Sequence, residues 1–92
     1  MPRKKINGVL LVLAKLLEVE EDKGISILRL QELTGIKNYY TINRHLDILK
    51  ELGFIEEEVD IGPPARRLIK LTEKGRQAAQ HARELLRLAG LL

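Results

Sequence analysis

The stretch from residue 27 to residue 53 constrains this chain more than any other. Ile27, Leu30 and Leu33 recur at helical spacing and stop at Gly35. Ile42, Leu46 and Leu49 form a second stripe, spaced four and three, that stops at Gly53. Such spacing lines one face of a helix. Glycine tolerates the left-handed conformation that closes a helix. Ser26 and Asn38 stand where each helix would start, and both side chains can accept an orphan amide of a first turn. The spacing therefore predicts a helix over 27–34, a tight turn at Ile36-Lys37, and a second helix over 39–52.

The flanking segments complete the pattern. Ile6, Val9, Leu10, Leu13 and Leu17 predict a first helix over 6–20, closed by Asp22-Lys23-Gly24. Leu11, Val12 and Leu16 widen its apolar stripe, as in a helix with neighbours on two sides. Residues 24–26 read as a short extended stretch. Phe54-Ile55-Glu56-Glu57-Glu58-Val59 reads as a strand and Arg66-Arg67-Leu68-Ile69-Lys70-Leu71 as its return. Between them Ile61-Gly62-Pro63-Pro64 is a turn, because two prolines supply no amide donors to a ladder. Thr72 is a cap for the last helix, so the hairpin spans 54–71 and the last helix 72–90. The order α-β-α-α-β-β-α is α+β, mostly helical: a winged helix-turn-helix, one domain over 1–92.

The last helix carries Ala78, Ala82, Leu85, Ala89 and Leu92 at spacings of four, three, four and three, a heptad seam. With Val9, Val12 and Leu16 of the first helix it is expected to join two copies of the chain. The alternative is that this seam covers the subunit's own core.

Composition narrows the function. A chain of 92 residues has a thin core that a partner subunit would help. It has no cysteine, so disulfides, thiol catalysis and zinc-finger ligation are excluded. The apolar run 9–13 is too short to cross a membrane, and no small-residue cleavage site follows it. A cytoplasmic, nucleoid-associated protein with no membrane partner is expected. His45 and His81 are the only histidines and pair with no nucleophile or ligand set. Neither enzyme activity nor a cofactor is expected. Abundant charge with no Cys and one Met also suits a thermophile.

The formal charge is +3, with acid gathered at Glu18 to Asp22 and Glu56 to Asp60. Base gathers at Arg3 to Lys5, at Lys37, Arg44 and Lys50, and at Arg66, Arg67 and Lys70. At about 100° per residue, Tyr40, Arg44, Asp47 and Glu51 lie opposite the buried stripe of the second helix, flanked by Thr41 and Asn43. A recognition helix presents its N-terminal residues to base edges in the major groove. Arg44 can pair with guanine O6 and N7, and Asn43 with adenine or a phosphate. Tyr40 and Thr41 can bond base or phosphate; Lys37 and Asn38 suit phosphate. Tyr39 lies closer to the core face, where packing and contact are equally open. Asp47 and Glu51 repel phosphate and confine the contact to the first two turns. Otherwise the helix is merely a solvated amphipathic one. Arg66 and Arg67, beside the Gly-Pro-Pro tip, reach DNA backbone or minor groove, or instead pair with Glu56, Glu57 or Glu58 across the hairpin.

At these residues the chain resembles the MarR/PadR-like winged-helix transcriptional regulators, especially small archaeal and archaeal-virus members. The likeness rests on Leu30-Gln-Glu-Leu-Thr-Gly-Ile36, Tyr40-Thr-Ile-Asn-Arg-His-Leu-Asp-Ile-Leu49, Leu52-Gly-Phe-Ile55 and Leu71-Thr-Glu-Lys-Gly75. It implies a homodimer on a pseudo-palindromic double-stranded DNA site, with the positions of Tyr40, Thr41, Asn43 and Arg44 reading DNA. Gln31 departs from the group, standing where a small residue is usual. The short terminal helices leave little room for a small-molecule effector. The expected function is a sequence-specific regulator, a repressor. The rivals are a winged helix for protein assembly and an architectural protein that coats DNA.

Overall fold

The computed structural model describes residues 8–91. Residues Arg3, Lys4, Lys5 and Ile6 of the expected first helix and basic cluster, and Leu92 of the seam, lie outside them. Chain order is α1 (Gly8–Glu18), β1 (Ile25–Ser26), α2 (Ile27–Thr34), α3 (Tyr39–Glu51), β2 (Ile55–Asp60), β3 (Arg66–Leu71) and α4 (Glu73–Leu88). This is a winged helix-turn-helix. The expected boundaries hold to within two residues at the described ends. No helix among the described residues is long and apolar enough to cross a membrane.

The caps act where they were expected. Ser26 accepts from the Arg29 amide at 3.2 Å, Asn38 from the Thr41 amide at 3.1 Å and Thr72 from the Gly75 amide at 2.9 Å. Gly35 closes α2 at φ +77°, with its own N–H bonded to the Gln31 carbonyl. Gln31 has a further role that the sequence did not disclose. Its side-chain amide donates to the carbonyls of Ile36 and Lys37 at 3.2 and 2.9 Å. The Thr34 hydroxyl donates to the Leu30 carbonyl at 2.8 Å and accepts from the Ile36 amide at 3.2 Å. These bonds satisfy groups that a tight turn would otherwise leave open, and they set the angle at which α3 leaves α2.

The core lies where α1, the helix-turn-helix and the sheet meet. Val12, Leu30, Ile42, Leu46, Leu49, Ile69 and Ala79 are wholly buried. Each large aliphatic chain among them contributes roughly 1.5–3 kcal/mol on leaving water. The three strands form one antiparallel sheet in the order β1-β3-β2. The short stretch at Ile25 and Ser26 thus pairs with Ile69 and Leu68 rather than standing alone. The sequence pattern showed it as extended but not where it would pair.

The motif Leu71-Thr-Glu-Lys-Gly75 acquires a physical reason. The Thr72 hydroxyl donates to the Gly53 carbonyl at 2.7 Å, and its amide donates to the Phe54 carbonyl at 3.0 Å. A Cβ on Gly75 would stand 1.8 Å from the Phe54 carbonyl oxygen. The start of α4 is therefore pressed onto the backbone where the hairpin begins, and only glycine fits there.

The expected dimer seam needs correction. Val12, Leu16 and Ala82 are buried in the subunit's own core. Val9 and Ala78 are partly buried against it. The inward face of α4 is Gly75, Ala79, Ala82 and Leu86. The reason is that α1 and α4 pack on each other, and their small side chains permit a close approach. Of the expected seam, only Leu85 and Ala89 are exposed among the described residues, beside Leu88 and Leu91.

Candidate nucleic-acid interface

Four of the anticipated readers share one exposed end of the molecule. Lys37 closes the turn, Asn38 caps α3, and Tyr40 and Arg44 follow one helical turn apart on its outer face; all four are exposed. Tyr40 is the barest, at 69%. Thr41 is half-buried beside them. Among the described residues neither Lys37 nor Arg44 has a carboxylate partner. Their charge is therefore unneutralised, next to the amides that open a helix.

The outer ladder of α3 continues differently from the sequence expectation. Ile48 and Leu52 join Asp47 and Glu51 in solvent, 43% and 46% exposed. With Val9, Tyr40, Arg44 and His45 they line a shallow groove. His45 is wedged against Gly8: a Cβ there would meet its Nε2 at 2.3 Å, and among the described residues its buried Nδ1 has no hydrogen-bond partner. Burial, then the neighbouring Arg44, hold its imidazole below the usual histidine range.

The wing is organised on the opposite principle. Arg66 pairs with Asp60 at 3.3 Å, in solvent. The Gly62 amide and then Arg66 lower the Asp60 carboxyl. Arg67 is held far more firmly. It grips both oxygens of Glu57, the Nη2–Oε1 bond being 2.9 Å and the Nε–Oε2 bond shorter. Its Nη1 donates to the Tyr39 hydroxyl at 2.8 Å and to Asn43 Oδ1 at 2.9 Å. Lys50 approaches the same Glu57 at 3.1 Å. Hydrogen bonds from Arg67, opposed by burial and aided by Lys50, hold the Glu57 carboxyl down at about 2. Glu57 in turn raises Arg67 well above its ordinary value.

The sequence left Arg67 between DNA and hairpin pairing. In the unbound chain it pairs with Glu57, not singly but inside a five-residue cluster that also takes in three side chains of α3, Tyr39, Asn43 and Lys50. Tyr39 and Asn43 are one helical turn apart, which could have flagged a shared partner. The partner itself was hidden, because it depends on strand register: Arg67 stands opposite Val59, one diagonal from Glu57.

No protein-family model matches the chain, and no curated protein matches it in sequence. Solved structures do. The chain is similar to Sso10a-2, a DNA-binding protein from Sulfolobus solfataricus, at 23% identity over 91% of this chain and 83% of that one, TM-score 0.71. It is similar to SSV1 F-93 at 20% identity over 98% and 97%, TM-score 0.75. It is also similar to a MarR family transcriptional regulator from Silicibacter pomeroyi, at 21% identity and TM-score 0.72, where it spans 92% of itself and 55% of the longer chain. At such identities the likeness establishes the shared fold.

Proposed function

We propose that this chain is a transcriptional regulator that binds double-stranded DNA with α3 in the major groove, and that it acts as a homodimeric repressor. The observation that carries the reading is the charge of Lys37 and Arg44 at the exposed N-terminal end of α3, unpaired among the described residues. A polyanion is the partner that such charge suits. That one similar fold belongs to a protein described as DNA-binding, and another to a transcriptional regulator, supports the same reading. Tyr40, Thr41 and Arg44 serve as base-edge and phosphate contacts, Lys37 and Asn38 as phosphate contacts. Arg66, whose ion pair is exposed, can exchange Asp60 for a phosphate.

A mobility shift with random duplex at low and moderate salt tests the reading. Binding that weakens steeply with salt is expected; no shift at either salt would overturn it. Selection of sites from a random pool then separates a site-specific regulator from an architectural coat. The exposed Ile48 and Leu52 favour a second reading, a protein-assembly module. Salt-insensitive protein binding without any DNA shift would select it.

The dimer follows from the reading itself, since one recognition helix reads too few base pairs to mark a site. Two copies on a two-fold axis would place half-sites about 34–36 Å apart. The surface available for this at the end of α4 and just beyond it is Leu85, Leu88 and Leu91, with Ala89. Leu85→Glu puts a charge there, and burying it unpaired is costly. Light scattering over a range of concentrations should show a dimer for the parent chain and a monomer for Leu85→Glu. A parent that stays monomeric when concentrated overturns the dimer.

A further inference from the structure

The cluster around Arg67 has a chemical consequence at the proposed DNA face. Arginine carries only N–H donors and no acceptor. Any group that faces its guanidinium must therefore accept. Asn43 turns its amide oxygen to Arg67 Nη1 at 2.9 Å, and Tyr39 its hydroxyl oxygen at 2.8 Å. The guanidinium cannot swing away easily, because Glu57 holds it at both oxygens and Lys50 holds Glu57. No hydrogen bond among the described residues uses the Asn43 amide nitrogen. Arg67 thus engages one lone pair of each oxygen, while the Asn43 NH2 group and the Tyr39 hydroxyl proton have no partner among the described residues.

We infer that Arg67 is a positioning residue of the wing, which draws the oxygens of Asn43 and Tyr39 of α3 onto itself and leaves their hydrogens as the groups turned toward DNA. The sequence had offered adenine to Asn43. Bidentate adenine reading needs an amide that donates to N7 and accepts from the N6 amino group. With its oxygen held against Arg67, Asn43 makes the first of these bonds more readily than the second, since its remaining lone pair would have to meet N6 while the amide stays fixed to the guanidinium. A guanine edge, which presents N7 and O6 as acceptors, suits it, as does a phosphate oxygen. Arg67 thus acts on specificity without touching the nucleic acid, and it adds nothing to the phosphate contacts.

This inference rests on the DNA-binding reading above, and one experiment separates the two. The intact chain, Asn43→Ala and Arg67→Met are each used to select sites from a random duplex pool, and affinities are then measured against salt. Thermal unfolding first establishes that the variants are folded. If Arg67→Met fails to fold, Arg67→Gln takes its place in every measurement. Asn43→Ala is expected to lose about tenfold in affinity. It should lose either a guanine preference or affinity for all sequences alike. Arg67→Met, with Asn43 released, should gain an adenine preference at that position at an unchanged slope of log affinity against log salt. Arg67→Gln keeps one donor and should gain less. An adenine preference in the intact chain that disappears in Asn43→Ala overturns the inference. A salt slope that falls by about one per subunit on losing Arg67 also overturns it, since Arg67 would then be a phosphate contact. An unaltered base preference in the Arg67 variant does the same. Absence of any DNA shift by the intact chain overturns the DNA-binding reading, and this inference with it.

Discussion

The face of α3 and the wing contain the same sort of residues and treat them in opposite ways. Lys37 and Arg44 stand in solvent with no carboxylate partner among the described residues. Arg66 and Arg67 each face one, and Arg67 lies in a half-buried mesh with Glu57, Lys50, Tyr39 and Asn43. The difference teaches that a basic cluster in a sequence is not yet a basic surface. What counts is whether the fold supplies a counter-charge within hydrogen-bond reach. In the wing it does, so the Arg67 charge stabilises geometry. At the start of α3 it does not, so the charge of Arg44 remains available to a partner.

Breaking the frame that carries both regions should have the largest effect. Gly75→Ala forces a Cβ into the Phe54 carbonyl. It should lower stability by about 3 kcal/mol, read by urea unfolding. DNA binding should fall only in step with unfolding, because neither face is altered.

The comparison is sharpened next on the exposed side. Arg44→Ala should cost about 2 kcal/mol of affinity on a selected site and relax the choice at one base pair per half-site. Its unfolding midpoint should barely move, as no partner among the described residues is lost. A large loss of stability would mean that Arg44 belongs to the frame after all.

Glu57→Gln tests the wing side. Its folded-state carboxyl, at about 2, lies below its unfolded value. Its stabilisation is thus complete above the unfolded value and lost as pH falls through about 2. The intact protein should therefore lose stability between about pH 4.5 and pH 2 by an amount absent from Glu57→Gln. Solvent screening of a partly exposed cluster brings that amount to roughly 1–2 kcal/mol. Parallel pH profiles for the two proteins would show that the cluster contributes nothing net.

Arg66→Gln should have the smallest effect. The pair with Asp60 is exposed, so its loss should leave stability almost unchanged. The salt slope of DNA binding should fall by about one per subunit. An unchanged slope would mean that Asp60 keeps its arginine in the complex.

Much of this molecule is written locally. The stripes Ile27-Leu30 and Ile42-Leu46-Leu49, the caps Ser26, Asn38 and Thr72, the stop at Gly35 and the turn at Gly62-Pro63-Pro64 each involve neighbours a few residues apart. Their outcome depends on short-range spacing and backbone chemistry, and the elements form where that spacing indicates. So the sequence by itself determined the order of elements and the outer face of α3's first turns. It did not determine which stripe of α4 faces inward. Ala78-Ala82-Leu85 and Ala79-Ala82-Leu86 are both helical patterns of small and large apolar residues. Only the packing of α1 chose the second and left Leu85 in water. Nor did it determine the partner of Arg67. Glu56, Glu57 and Glu58 were all candidates on the facing strand, and register with the lean of α3 selected Glu57 together with Tyr39 and Asn43. Such choices belong to the tertiary structure because they join residues 10, 24 and 28 positions apart. At those separations no local propensity acts, and only assembly of the whole core brings the groups within reach.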